Sequence, residues 1–259
     1  MHKLGLKVWS TNGAYREPAA RLYAAGAFQF IEIAVPAESR MDQVAQWQGG
    51  GYPVVLHAPH SYCGLNMAQA ALEAANFAQI ERLDQACGLL RPELVIFHSG
   101  MDGTVEEAVR QMAAFRARRP AVFERAVVEN KPRVGFEGQR CIGASPEEIR
   151  TILAATGLGF CLDVGHAICY ANWAGRPWAE ALEEFLAIGP AIYHLSDGDA
   201  TALVDSHEHP GQGSFDLGRI VRMIPDGALV TIEARKESRE DLDDFLRDAA
   251  FLRGCTHEH

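Results

Sequence analysis

Eight short apolar runs, with stretches of helical period between them, constrain this chain more than any other feature. The runs are LGLKVW (4–9), FQFIEIAV (28–35), PVVLHAP (53–59), LVIFHSG (94–100), AVVEN (126–130), GFCLDVG (159–165), AIYHLSD (191–197) and LVTIEAR (229–235). Strands that are apolar almost throughout are covered on both faces, as in a parallel sheet wrapped by its crossover helices. Eight such units predict an α/β fold, a closed (β/α)8 barrel, and 259 residues suit it. An open doubly wound sheet is the alternative. Against it, no GxGxxG follows the first run, and polar residues end many different runs rather than lining one crevice.

The segments between the runs read as helices. In ALEAANFAQIERLDQACGLL (71–90), Leu72, Ile80, Leu83, Cys87 and Leu90 can share one face. SPEEIRTIL opens with Ser145, Pro146 and Glu148, a capping box with proline at the first helical position. SREDLDDFLRDAAFLRG (238–254) predicts a last helix stopping at Gly254. With no linker or low-complexity segment, one barrel is expected over 1–254, and CTHEH (255–259) is read as a frayed tail.

Composition narrows the partners. A formal charge of -10, from 24 basic and 34 acidic residues, disfavours DNA and anionic membranes, although bound metal could make one cleft locally positive. Six cysteines without CxxC spacing read as reduced thiols, hence a cytoplasmic protein. No apolar stretch is long enough for a signal peptide or a membrane span, so the expectation is a soluble protein with no membrane partner.

The chemistry lies where the runs end. His57, His98, Glu129, Asp163, His194 and Glu233 close six consecutive runs, and His166 follows Asp163 by three. In a (β/α)8 barrel the C-terminal strand ends converge on one mouth. The loop DSHEHPGQG (205–213) adds Asp205 and His207, with Gly211 and Gly213 giving the tight backbone that tucks it over that mouth. A lone histidine at a strand end is ordinarily a hydrogen-bonded structural residue, and an aspartate before glycine a turn former. The set is different: nine converging N and O donors cannot be buried without counter-charge. Divalent cations resolve that cost. Mixed imidazole and carboxylate donors suit Zn²⁺, with Mn²⁺ or Fe²⁺ possible and Mg²⁺ less suited.

The motifs HAP, FHSG, VEN, LDVGH, HLSD, DSHEHPGQG and IEAR, spread over nearly the whole chain, resemble the xylose isomerase-like TIM-barrel superfamily. Within it the likeness is to the AP endonuclease family 2, or endonuclease IV, branch. The resemblance implies up to three zinc ions. His57 and His98 would hold one, with Glu129 bridging to a second that Asp163, His194 and Glu233 also bind. His166, Asp205 and His207 would hold the third. The superfamily also contains sugar and sugar-phosphate isomerases and epimerases, which use one divalent ion.

Two enzymatic readings therefore stand. His57, His98 and Asp205 favour a metal-dependent phosphoester hydrolase acting on a small, phosphorylated or sugar-like substrate, because a one-metal isomerase does not require them. Glu129 and Glu233, the candidate catalytic residues, could instead exchange protons across a sugar carbon as an isomerase or epimerase. A non-catalytic, metal-stabilised binding protein is a distant third. Strand 2 runs straight into its helix without a loop to penetrate a duplex, and HAPHSYCGLN keeps Tyr62 and Asn66 but inserts His60. Candidate substrate contacts are Tyr62, Asn130, Lys131, Trp173, Trp178, Gln212 and Arg235.

Overall fold

A computed structural model describes residues 1–255. Its strands are β1 (Lys3–Trp9), β2 (Phe30–Ala34), β3 (Val54–His57), β4 (Leu94–His98), β5 (Ala126–Glu129), β6 (Gly159–Asp163), β7 (Ile192–Leu195) and β8 (Leu229–Ile232). Each pairs in parallel with the next and β8 closes onto β1, which makes the expected (β/α)8 barrel. The helices are α1 (Arg16–Ala24), α2 (Met41–Ala45), α3 (Glu73–Leu90), α4 (Val105–Arg118), α5 (Pro120–Phe123), α6 (Pro146–Thr156), α7 (Val164–Trp173), α8 (Trp178–Leu186), α9 (Leu217–Met223) and α10 (Asp243–Cys255).

The two-residue period of a strand sorts each run into an outer and an inner set. Outward residues such as Ile31, Leu56, Phe97, Val128, Leu162, Tyr193 and Val230 join the large core beneath the helices. Inward residues Phe30, Val55, Ile96, Val127, Cys161 and Ile192 form a smaller apolar plug inside the barrel. β1 contributes Gly5 at this level because the Phe30 ring occupies its space; a Cβ there would stand 2.3 Å from that ring. One step toward the C-terminal ends, the inner set turns polar on every strand: Lys7, Glu32, His57, His98, Glu129, Asp163, His194 and Thr231, all buried.

Three local expectations are adjusted. In α3 the buried positions are Asn76, Ile80, Leu83 and Ala86, while Leu72 precedes the helix at 37% exposure and Cys87 and Leu90 are half-buried. Asn76 turns the face because its amide binds the backbone of Asn66 and the Gln111 side chain. At α6 Ser145 Oγ accepts from Glu148 N, but the Glu148 carboxylate returns to Ala144 N and to Arg133. The last helix begins at Asp243, since Ser238 Oγ holds a turn by accepting from the Glu240 and Asp241 amides. It runs through Cys255; the rest of the expected tail, 256–259, lies outside the described residues.

Candidate metal centre

Glu129 stands at the middle of the polar ring. Its Oε2 lies 3.1 Å from His57 Nε2, 3.1 Å from His98 Nε2 and 3.5 Å from His194 Nδ1, and its Oε1 lies 3.3 Å from His166 Nδ1. His194 Nδ1 also faces Glu233 Oε2 at 2.7 Å and Asp163 Oδ2 at 4.0 Å. Asp163 ends β6, and its Oδ1 caps α7 by accepting from His166 N at 2.7 Å. That cap explains the spacing of three: the strand end and the first turn of the following helix present both side chains to one cavity. Asp205 and His207 reach the same mouth from the loop after β7, and their ligand atoms and that of His166 lie within 4.8 Å of one another.

The hydrogen bonds on the far side of each imidazole show what the near side can do. His57 Nδ1 donates to Ala58 O at 2.8 Å, His166 Nδ1 to Asn130 O at 2.9 Å, and His194 Nε2 to Glu32 Oε2 at 2.9 Å. In a neutral ring each such bond fixes the tautomer and leaves a lone pair on the other nitrogen. Those nitrogens face carboxylate oxygens: His57 faces Glu129, His166 faces Asp205 Oδ2 at 3.9 Å, and His194 faces Glu233. Lone pair against lone pair is repulsive unless a proton or a cation stands between them. Accordingly His194 Nδ1, Glu233 Oε2, Asp205 Oδ2 and His207 Nδ1 are buried without a hydrogen-bond partner among the described residues. Donor chemistry, outer hydrogen bonds and orphaned atoms all fit divalent ions, zinc foremost.

The electrostatics carry the same strain. Burial, reinforced by the like charges of Asp205, Glu129 and Glu233, pushes the Asp163 carboxyl up to about 6 although His166 opposes it. Burial also acts upward on Glu129, but His98 and His194 outweigh it and hold that carboxyl well below the usual range. Burial and the neighbouring Lys131 push His98 down to about 3.

Three members of the ring, Lys7, Glu32 and Thr231, are absent from the expected set. Glu32 Oε2 accepts from His194 Nε2 and, at 2.7 Å, from Thr231 Oγ1, while its Oε1 pairs with Lys7 Nζ at 3.1 Å. Lys7 Nζ donates in turn to Glu233 Oε1 at 2.5 Å. Burial disfavours the Lys7 ammonium, but Glu233 and Glu32 outweigh it and raise its pKa. His60, met in the sequence only as an insertion, lies 2.5 Å from Lys131 Nζ and stacks on Tyr62.

Of the expected substrate contacts, Tyr62 and Lys131 line the cavity over the cluster. Asn130 spends its amide on the backbone N and O of Asp163 and so positions that carboxylate. Trp173 and Trp178 lie outside the cavity wall, beneath the guanidinium groups of Arg133 and Arg219. Gln212 and Arg235 are exposed and also outside the wall; β8 ends at Ile232, so strand alternation does not carry from Glu233 to Arg235. The loop 205–213 folds over the mouth as its glycines imply: Asp197 accepts from Gly211 N and Phe215 N, and a Cβ on Gly213 would stand 2.4 Å from Asp197 Oδ1.

A closed (β/α)8 barrel whose C-terminal mouth gathers histidines and carboxylates around one buried glutamate is the class that fold and site define. The chain belongs to the xylose isomerase-like TIM-barrel family, whose model matches residues 20–255. Endonuclease 4 of Thermus thermophilus is 30% identical over 193 residues, 71% of this chain and 68% of that protein. The solved structure of an endonuclease IV from Thermus thermophilus matches with a TM-score of 0.70 at 21% identity, covering 99% of this chain and all of the other. A D-tagatose 3-epimerase-like protein matches with a TM-score of 0.68 at 20% identity, covering 98% and 97%. No helix among the described residues is long and apolar enough to cross a membrane, and none of the cysteines forms a disulfide.

Proposed function

We propose that this chain is a metal-dependent hydrolase that cleaves a phosphoester of a small substrate. One observation carries the reading: besides the group around His194, the mouth holds two further sets of close donors, His57 with His98 and Glu129, and His166 with Asp205 and His207. A single-ion proton-transfer enzyme would use only the His194 group with Asp163, Glu129 and Glu233, leaving the other histidines and Asp205 as uncompensated burial. Together the sets would hold up to three divalent ions, best matched by zinc. Bound there, the ions would polarise a phosphoryl oxygen and make water a nucleophile near neutral pH. Hydrolysis joins the water oxygen to phosphorus, breaks the ester P–O bond and leaves the proton on the departing alcohol. Lys131, buried beside His98 and His60, supplies a fixed positive charge at the edge of the cluster for the phosphate.

The epimerase reading asks Glu129 and Glu233 to exchange substrate protons. Glu233 has its two oxygens divided between Lys7 and His194, and Glu129 is surrounded by four imidazoles, which suits both to ligation more than to accepting a proton from carbon. The relatives include a named endonuclease, but a cavity of about 350 Å³ and an acidic chain favour a small molecule over duplex DNA. Elemental analysis of protein purified without chelators should give about three zinc ions per chain. His98→Ala should abolish phosphoester hydrolysis. One manganese or magnesium ion per chain with sugar epimerisation and no ester cleavage would overturn the proposal.

A further inference from the structure

We infer that the substrate's body is apolar and planar, an aryl or similar ring-bearing phosphoester, and not a sugar phosphate; this rests on the phosphoester reading and narrows it. The observation is the contrast between the floor and the wall of the cavity. The floor is the histidine–carboxylate cluster. The wall above it is built by Trp9, Pro36, Pro59, Tyr62, Phe136 and Val204, from the ends of β1, β2, β3, β5 and β7. Trp9 follows Lys7 by two residues and so shares its inward direction, one level higher. It is 43% exposed, and Phe136 is 62% exposed: large apolar surfaces left bare beside a charged floor.

The polar side chains of this wall are already engaged. The Tyr62 hydroxyl donates to Gln139 Oε1 and accepts from Phe136 N. Lys131 Nζ spends one donor on His60 and keeps the others for the phosphate, and Asn130, outside the wall, is committed to the Asp163 backbone. Gln212 and Arg235, which could have met hydroxyl groups, stand outside the wall. Apart from Lys131, which faces the phosphate, what remains among the described side chains of the wall is the thiols of Cys63 and Cys141, weak partners for a hydroxyl. A polyol lodged here would lose water from each hydroxyl without replacement, whereas an aromatic ring would cover Trp9 and Phe136 while its phosphate meets the cluster.

The test uses the zinc-loaded protein and ligands that cannot be hydrolysed. Calorimetric titration should show phenylphosphonate binding about 30-fold tighter than methylphosphonate, the gain expected from burying one ring. Trp9→Ala and Phe136→Ala, both at exposed positions, should each reduce that ratio several-fold, and kcat/KM should favour phenyl phosphate over ribose 5-phosphate. If inorganic phosphate and methylphosphonate bind but the phenyl gain is absent, or survives both substitutions, the aryl assignment is wrong while the phosphoester reading stands. Preference for ribose 5-phosphate overturns it equally. If no phosphate or phosphonate binds, the phosphoester reading itself fails.

Discussion

Replacing Glu32 by glutamine exchanges one oxygen for an NH2 group and should weaken the binding of the ion proposed beside His194. The carboxylate is fully buried; its Oε2 accepts from His194 Nε2 at 2.9 Å and Thr231 Oγ1 at 2.7 Å, and its Oε1 faces the Lys7 ammonium at 3.1 Å. A glutamine has no orientation that satisfies all three donors. With its oxygen toward His194 and Thr231, its NH2 meets the Lys7 ammonium; with the amide turned, the NH2 meets His194 and Thr231. The second arrangement moves the imidazole proton to Nδ1, which faces Glu129, Asp163 and Glu233 and could then no longer bind a cation. Loss of a carboxylate behind a ligating histidine typically lowers metal affinity about 10- to 100-fold, or about 1.4–2.7 kcal/mol. The fold should survive, because Lys7 keeps Glu233; a cost of about 1–3 kcal/mol is expected for the unmet buried donor. Chelator competition measures the affinity, and ¹⁵N NMR of the His194 ring reports which nitrogen carries the proton. Wild-type affinity together with an unprotonated Nδ1 in Glu32→Gln would refute the reasoning.

Glu129→Gln should lose metal and hydrolysis together, since four imidazoles share that carboxylate; full metal content and turnover in this variant would remove Glu129 from the ligand set. Asp163→Asn should separate stability from function. Burial and like charge raise the Asp163 carboxyl to about 6, so in metal-free protein its contribution to stability is present at low pH and lost as pH rises through about 6. Removing the charge should therefore stabilise the metal-free protein at pH 8 by about 1–3 kcal/mol in urea unfolding, while zinc affinity falls. An Asp163→Asn protein less stable than wild type when both are metal-free would contradict this. Gly213→Ala should displace the loop that carries Asp205 and His207, because the new Cβ would stand 2.4 Å from Asp197 Oδ1 and 2.5 Å from the Gly198 backbone. Metal analysis should then show the His166 set emptied first; an unchanged metal ratio would mean that the loop gives way without moving its ligands.

The barrel was legible because its physics is periodic. Each run of apolar residues must be covered on both faces, and eight of them in alternation with helices leave few architectures. Nine members of the cluster could be found because they interrupt or follow such runs. Lys7 and Glu32 escaped for a local reason. They lie inside LGLKVW and FQFIEIAV, with apolar residues on both sides, where a single charge reads as a residue turned to solvent. Their parity was the available signal: each stands two residues beyond an inward position, Gly5 or Phe30, as His57 stands beyond Val55. The cavity wall is less accessible from sequence. It is made by loops whose paths depend on single contacts, such as the Tyr62 hydroxyl on Phe136 N, and no period in the sequence encodes those.

The mounting of the donors divides the mouth into a fixed part and a compliant part. His57, His98, Glu129, Asp163 and His194 sit on strands whose hydrogen bonds to both neighbours hold each backbone in place. His166 borrows that rigidity through the cap on Asp163. Asp205 and His207 lie off the barrel strands, framed through the neighbouring Glu208, which exchanges both backbone hydrogen bonds with Asp197. Their loop is secured by Asp197 at one end and by His209, whose ring rests on the Asp248 carboxylate of α10. Within it His207 adopts φ +49°, a left-handed conformation that costs a side-chain-bearing residue about 1 kcal/mol or more. Strain of that size persists only where something offsets it; Arg235 N donates to His207 O from the β8 side, and Glu208 N of the same peptide donates to Asp197 O. A cation shared by His166, Asp205 and His207 would supply the remainder, so the loop and its ion would stabilise each other. The barrel thus sets the positions of the strand-borne donors by itself, whereas the outermost set would be completed by an ion bound there.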